Sequence, residues 1–190
     1  MTALRALREG GSLLGRRVLI TGAAGGVGHF AVQFAHLGGA YVTAVGRDEE
    51  QARWLRRIGA DEVVGREDEL PPEFNVVMEG VGGSMLERSV RAVVPGGIVV
   101  LYGVADPEPA RISLLDFLSS RAAGARIQAF FLHETGPSTF GADLGYLAGM
   151  VGAGTLQPKV GLEINWQEIE RAMAVLRDRQ VLGKVVLLIE

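Results

Sequence analysis

The sequence predicts an α/β protein built on a doubly wound parallel sheet, with six strands in the order 3-2-1-4-5-6 and a C-terminal strand-helix-strand appendage. Three observations carry that prediction. Short continuous apolar runs alternate with amphipathic helical segments, the pattern of right-handed crossovers between parallel strands covered on both faces. A glycine-rich stretch, Thr21-Gly-Ala-Ala-Gly-Gly-Val-Gly28, lies between the first such strand and a helix. After about residue 155 the character changes, and the last segment reads as a separate strand, helix and strand.

The elements follow in order. Ala3, Leu4, Ala6 and Leu7 make a short first helix, broken by Gly10, Gly11 and Gly15. Arg17 to Thr21 is an apolar run with β-branched residues and reads as a buried strand. Gly26 to Leu37 follows as a helix, with Val27, Ala31, Phe34 and Ala35 on one face. Ala40 to Val45 is the second strand. Asp48 to Ile58 is the next helix, with Asp48 as N-cap and Gly59 as its stop. Glu62 to Val64 is a short third strand, and residues 66–72 form a charged, proline-containing loop. Phe74 to Met78 is the fourth strand. Ser84 to Val93 is a helix ended by Pro95-Gly96-Gly97, and Ile98 to Tyr102 is the fifth strand. Leu114 to Ser120 reads as helical, Arg126 to Leu132 as the sixth strand, and Phe140 to Val151 as a glycine-weakened helix. In the tail, Lys159 to Ile164 and Lys184 to Ile189 read as strands. Trp166 to Arg177 between them reads as a helix with Ile169, Met173 and Leu176 on one face.

Composition narrows the function. Glycine accounts for 27 of 190 residues, about twice the usual ~7%, yet without a Gly-X-Y period. Hydrophobic residues make up 48%, enough for a sizeable core. Nineteen basic and 22 acidic side chains leave a net charge of −3, which offers no bulk attraction to nucleic acid or to an anionic membrane. The absence of cysteine excludes disulfides, thiolate zinc ligands and a cysteine nucleophile within this chain. Arg5 and Arg8 interrupt the start where a signal peptide needs an apolar run, and no apolar stretch approaches a membrane span. A soluble cytoplasmic protein acting on a small molecule is expected.

The glycine turn is the most informative stretch. A diphosphate sits against free backbone N–H groups at a helix N-terminus, where the macrodipole also favours negative charge. In the spacing of a dinucleotide (Rossmann) turn, Ala23 takes the first glycine position, Gly25 the second and Gly28 the third. Gly22 and Gly26 add freedom, and Ala24 and Val27 complete the turn. No Lys-Ser or Lys-Thr follows, which disfavours a Walker-type phosphate loop. The second strand runs into Gly46-Arg47-Asp48. Gly46 stands where an NAD-specific fold places an acid for the ribose 2′-OH, and Arg47 follows as a cation suited to a 2′-phosphate, which favours NADPH (NADP) over NADH. One register shift would instead put Asp48 in the acid's place. Arg53, Arg56 and Arg57 read as the exposed face of the following helix.

A short-chain dehydrogenase is disfavoured, because Tyr41, Tyr102 and Tyr146 are followed four residues on by Val45, Asp106 and Met150, never by the lysine that chemistry requires. The whole chain instead resembles the medium-chain dehydrogenase/reductase superfamily, and within it the quinone-oxidoreductase-like branch. The resemblance is carried by Thr2-Ala-Leu-Arg-Ala-Leu7, Gly22-Ala-Ala-Gly-Gly-Val-Gly28, Ile58-Gly-Ala-Asp61, the stretch from Phe74 to Gly83, Pro95-Gly-Gly97 and Gly183-Lys-Val-Val-Leu187, in that order and spacing. It implies that Gly82, Gly83, Gly103, Val104 and residues Phe130 to Leu132 line the cofactor groove, with the backbone of Phe131 and Leu132 meeting the nicotinamide carboxamide. It implies hydride transfer between NADPH and a quinone or α,β-unsaturated carbonyl. It also implies that residues 1–155 are the NADP-binding domain, and that residues 156–190 are a return segment completing an N-terminal catalytic domain not contained here. A homodimer through the edge strand 126–132 follows from the same resemblance and from the unpaired backbone such an edge exposes. The alternatives are a fragment of a zinc-dependent alcohol dehydrogenase and a non-catalytic nucleotide sensor.

Other candidates are few. The resemblance supplies no catalytic residue, and no metal site is expected. Glu79 could contact a ribose or cap a loop. His29 and His36 are expected to be partly solvated, with His29 near the turn. His133 lies near the expected nicotinamide mouth, and Lys184 is expected to be structural.

Overall fold

The computed structural model describes residues 1–118, 122–134, 136–178 and 180–189. Six parallel strands form one sheet: β1 (Arg17–Ile20), β2 (Tyr41–Val45), β3 (Glu62–Val64), β4 (Phe74–Glu79), β5 (Val93–Leu101) and β6 (Arg126–Ala129). Their order is β3-β2-β1-β4-β5-β6, as the sequence predicts. The helices are α1 (Thr2–Arg8), α2 (Gly28–Leu37), α3 (Glu49–Arg57), α4 (Gly83–Ala92), α5 (Leu114–Leu118), α6 (Phe140–Gly152) and α7 (Ile169–Arg177). Strands β7 (Val160–Asn165) and β8 (Lys184–Leu188) pair in parallel as a separate sheet.

The continuous apolar runs are explained by burial on both faces. In β1, Val18 and Ile20 join a core layer with Ala31 and Val32 of α2, while Leu19 points into the opposite layer with Met85 and Val90 of α4. Val76, Met78, Ile98 and Val100 alternate with Val77 and Val99 in the same way. Burying side chains of this size stabilises the fold by roughly 1.5–3 kcal/mol each.

Several boundaries differ from expectation for local reasons. The helix after the glycine turn starts at Gly28 rather than Gly26, because the intervening residues form the turn itself. Pro95-Gly96-Gly97 does not separate helix from strand. It lies inside β5 as an irregularity, where pairing to β4 jumps from Phe74↔Val93 to Val76↔Ile98. Proline has no N–H to give the ladder, so the strand bulges there. The expected edge strand 126–132 is shorter: β6 stops at Ala129, and Leu132–Glu134 form a 3₁₀ turn. The apolar run through Phe130 and Phe131 continues past the strand. Trp166–Glu168 are likewise 3₁₀ ahead of α7. Ser119 and Ser120, the expected end of the helix after Leu114, and Glu190 of the tail lie outside the described residues. Ile169, Met173 and Leu176 share one face of α7 as expected, but that face is 48%, 61% and 44% exposed, respectively.

No helix among the described residues is long and apolar enough to cross a membrane.

Candidate functional site

The carboxyl ends of β1, β2, β4 and β5 open onto one groove of about 410 Å³. Open parallel sheets bind ligands at this end, where the strand order reverses between β1 and β4. Its floor is the turn between β1 and α2. Gly22 takes a positive φ of 58° there, and its carbonyl accepts from Gly25 N–H at 2.9 Å. A Cβ at Gly28 would lie 2.2 Å from the Gly22 oxygen and 2.7 Å from Ala23 Cα, so only glycine lets α2 start this close to β1. The N–H groups of Gly26 and Val27 donate to nothing among the described residues. They stand at the positive end of α2, a cradle suited to a phosphate.

Two neighbouring strand ends brace the turn. Thr21 Oγ1 accepts from Gly80 N–H at 2.9 Å, and the Tyr102 phenol donates to the Thr21 carbonyl at 2.7 Å. Burial, and secondarily the Glu79 charge, push the Tyr102 pKa well above the usual phenol value, so the hydroxyl stays a donor. Glu79 is fully buried. Its Oε1 accepts from Val81 and Gly82 N–H at 2.5 and 2.8 Å, and Oε2 from the Ser89 hydroxyl at 2.9 Å. The carboxylate therefore caps the loop into α4, the second of the two roles the sequence offers for it.

At the far end of the groove, β2 delivers Val45, Gly46 and Arg47. No acid ends this strand. Asp48 serves instead as the α3 N-cap, its Oδ1 accepting from Gln51 N–H at 2.9 Å. That hydrogen bond, with the adjacent Arg47, holds its carboxyl below the usual range. Arg47 remains half-exposed, its Nε 3.3 Å from the Asp48 carboxylate, and is one of the residues that line the groove.

Of the residues singled out from the sequence, Gly22, Ala24, Gly25, Gly26, Val27, Gly28, Gly46, Arg47 and Gly103 line this groove. Ala23 is buried beneath it in the core. Gly82, Val104, Phe131 and Leu132 stand outside it: Gly82 is the α4 N-cap, Val104 is 77% exposed, and Phe131 is 64% exposed beside the His133 ring. Phe130 belongs to the core. Arg53, Arg56 and Arg57 are exposed on α3, as expected.

His29 is a correction. It is fully buried rather than partly solvated, because α2 packs it under the tail and against Phe30 and Trp54. The Lys184 ammonium lies 3.0 Å from where a Gly26 Cβ would stand, over the turn, and it has no acidic partner among the described residues. Arg66, Gln51 and Tyr102 also line the groove, as do Leu176, Val181, Leu182 and Gly183 from the tail. Arg47 and Arg66 thus line the groove, and the Lys184 ammonium stands over a turn whose Gly26 and Val27 amides have no partner among the described residues. The described residues hold no group of three or more His, Cys, Asp or Glu side chains that could ligate a metal ion.

The family model described as zinc-binding dehydrogenase matches residues 26–142. Acryloyl-coenzyme A reductase of Metallosphaera sedula is 29% identical over 188 residues, covering 96% of this chain and 54% of that protein. The structure of the quinone oxidoreductase from Coxiella burnetii superposes with a TM-score of 0.78 at 24% identity, over 100% of this chain and 57% of that one. A mycobacterial protein solved in complex with NADPH superposes with a TM-score of 0.83 at 22% identity, over 100% of this chain and 62% of that one. Both structural likenesses are likenesses of fold. The chain spans about half the length of that reductase and of prostaglandin reductase-3 of Bos taurus, another relative.

Proposed function

The chain belongs to the zinc-binding dehydrogenase family of the medium-chain dehydrogenase/reductase superfamily, and we propose that it is the NADPH-binding domain of an oxidoreductase acting on a quinone or an α,β-unsaturated carbonyl. The observation that carries this is the groove itself, where a turn of unengaged amides meets Arg47 and Arg66 and no carboxylate ends β2.

The residues divide the cofactor between them. The amides of Gly26 and Val27 take the diphosphate, with the Lys184 ammonium as counter-charge. Arg47 and Arg66 take the 2′-phosphate, where a carboxylate would repel it. Tyr102 and Thr21 hold the turn from below. Gly103 leaves the carboxyl end of β5 open for the nicotinamide half. When bound, NADPH supplies the hydride; the chain's part is to orient the ring and keep water away from it.

The relatives' names support the substrate class, since one reduces acryloyl-coenzyme A and one fold neighbour is a quinone oxidoreductase. The uncovered apolar face of α7 supports residues 156–190 as the segment that packs against a further domain bearing the substrate-side groups. Strand β6, an edge strand of the sheet among the described residues, supports pairing of two copies edge to edge.

Parallel calorimetric titrations with NADPH and NADH test the cofactor assignment. Wild type is expected to bind NADPH at least about tenfold more tightly, and Arg47→Ala to lose most of that preference while NADH binding stays as it was. Equal affinity of wild type for the two would overturn it.

A further inference from the structure

The glycine turn and the tail, more than 120 residues apart in sequence, are joined by a buried polar ladder. Gly25, His29 and Gln33 recur every four residues, on one face at the start of α2. His29 Nδ1 donates to the Gly25 carbonyl at 2.8 Å, which leaves Nε2 as the acceptor of Lys159 N–H at 3.4 Å. The Gln33 amide takes both backbone groups of Gln157: Nε2 donates to its carbonyl at 3.0 Å, and Oε1 accepts from its N–H at 2.7 Å. Lys159 in turn accepts from Lys184 N–H at 2.7 Å, and the Lys184 ammonium reaches over Gly26. His29 is 0% exposed and Gln33 5%.

We propose that His29 and Gln33 are positioning residues for the cofactor, which set the register of the tail along α2 and thereby place Lys184 against the diphosphate. This rests on the NADPH assignment above. Apolar side chains of similar size would fill the same space, but they would let the tail slide. Here a slip of one residue leaves the Gln157 and Lys159 backbone groups and the imidazole unpaired in the interior, where each lost partner is costly. Neither residue touches the cofactor; both act through Lys184.

The ladder is sensitive to acid at one rung. A proton on Nε2 would turn the acceptor of Lys159 N–H into a second donor facing it. The charged groups facing His29 come from the tail, the ammonium groups of Lys184 and of Lys159, the latter over the Trp54 ring. α2 and α3 contribute the Phe30 and Trp54 rings, which do not titrate. Burial lowers the imidazole pKa, the Gly25 hydrogen bond opposes that, and Lys184 adds to the lowering.

The test is NADPH titration of the full chain, as wild type, His29→Gln, Gln33→Leu, Lys184→Met and the Gln33→Leu/Lys184→Met double variant. Gln33→Leu is expected to weaken NADPH about tenfold, and the double variant to be no weaker than Lys184→Met alone, because both remove the same contact. The 2′-phosphate itself titrates near pH 6, so the acid rung is read as a difference: the loss of affinity from about pH 8 to about pH 5.5 is several-fold larger in wild type than in His29→Gln. Fully additive losses, or identical acid profiles, would overturn the proposal. Absence of NADPH binding by wild type at every pH would instead overturn the assignment beneath it. Should His29→Gln fail to fold, nitrogen chemical shifts of the wild-type imidazole decide the rung: a neutral ring protonated on Nδ1 agrees, and one protonated on Nε2 contradicts.

Discussion

The Tyr102 phenol donates to the carbonyl of Thr21 at 2.7 Å, so the end of β5 holds the residue that launches the glycine turn from β1. With the Thr21 hydroxyl taking Gly80 N–H, three strand ends are locked at one point beneath the groove.

Tyr102→Phe removes that donor and leaves the fully buried Thr21 residue with an unpaired carbonyl. A loss of about 1–2 kcal/mol is expected in urea denaturation, together with weaker NADPH binding. Unchanged stability would show that another donor replaces the phenol.

Gly28→Ala places a methyl group 2.2 Å from the Gly22 oxygen. The atoms it meets are backbone, so the turn must shift. A cost of about 1–3 kcal/mol is expected, with NADPH binding lost before folding is. Gly141→Ala, on α6 with open space around it, is the matched control and is expected to bind as wild type does.

Glu79→Leu abandons the N–H groups of Val81 and Gly82 and the Ser89 hydroxyl. A loss of about 2–3 kcal/mol is expected, with Glu79→Gln recovering part of it because its amide oxygen still accepts. Chemical denaturation of the two variants side by side makes the comparison.

Asp143 ties α6 to α1, accepting from Arg5 Nε at 2.6 Å and from Arg8 at 3.1 Å. The Arg5 hydrogen bond first, then Arg8, hold its carboxyl below the ordinary value of 3.8. A carboxyl depressed in the folded state contributes stability above its unfolded pKa and loses it as pH falls through the folded one. Asp143→Asn is therefore expected to melt below wild type at neutral pH, with the gap closing as the pH falls below 3.8. A gap independent of pH would point to packing instead.

The sheet was legible because each strand is a short apolar run rich in β-branched residues, and doubly covered strands need no more distinctive signal. The turn was legible because steric demand at Gly28 leaves a mark in the sequence. Arg66 and Tyr102 in the groove, and Lys184 over the turn, were not, since each comes from an element whose position depends on tertiary packing. A single histidine on a helix carries no sign of burial, so the sequence leaves His29 partly solvated where the structure buries it. The sequence extends strand β6 too far because Phe130, Phe131 and Leu132 continue its apolar run; Phe130 is buried in the core and Leu132 packs against it, while Phe131 is exposed.

A crystal structure of the chain grown with saturating NADPH tests the central claim most directly. The account predicts a diphosphate on the amides of Gly26 and Val27, Lys184 within ion-pair distance of it, and a 2′-phosphate between Arg47 and Arg66. A dinucleotide bound elsewhere, or an empty groove under those conditions, would contradict it.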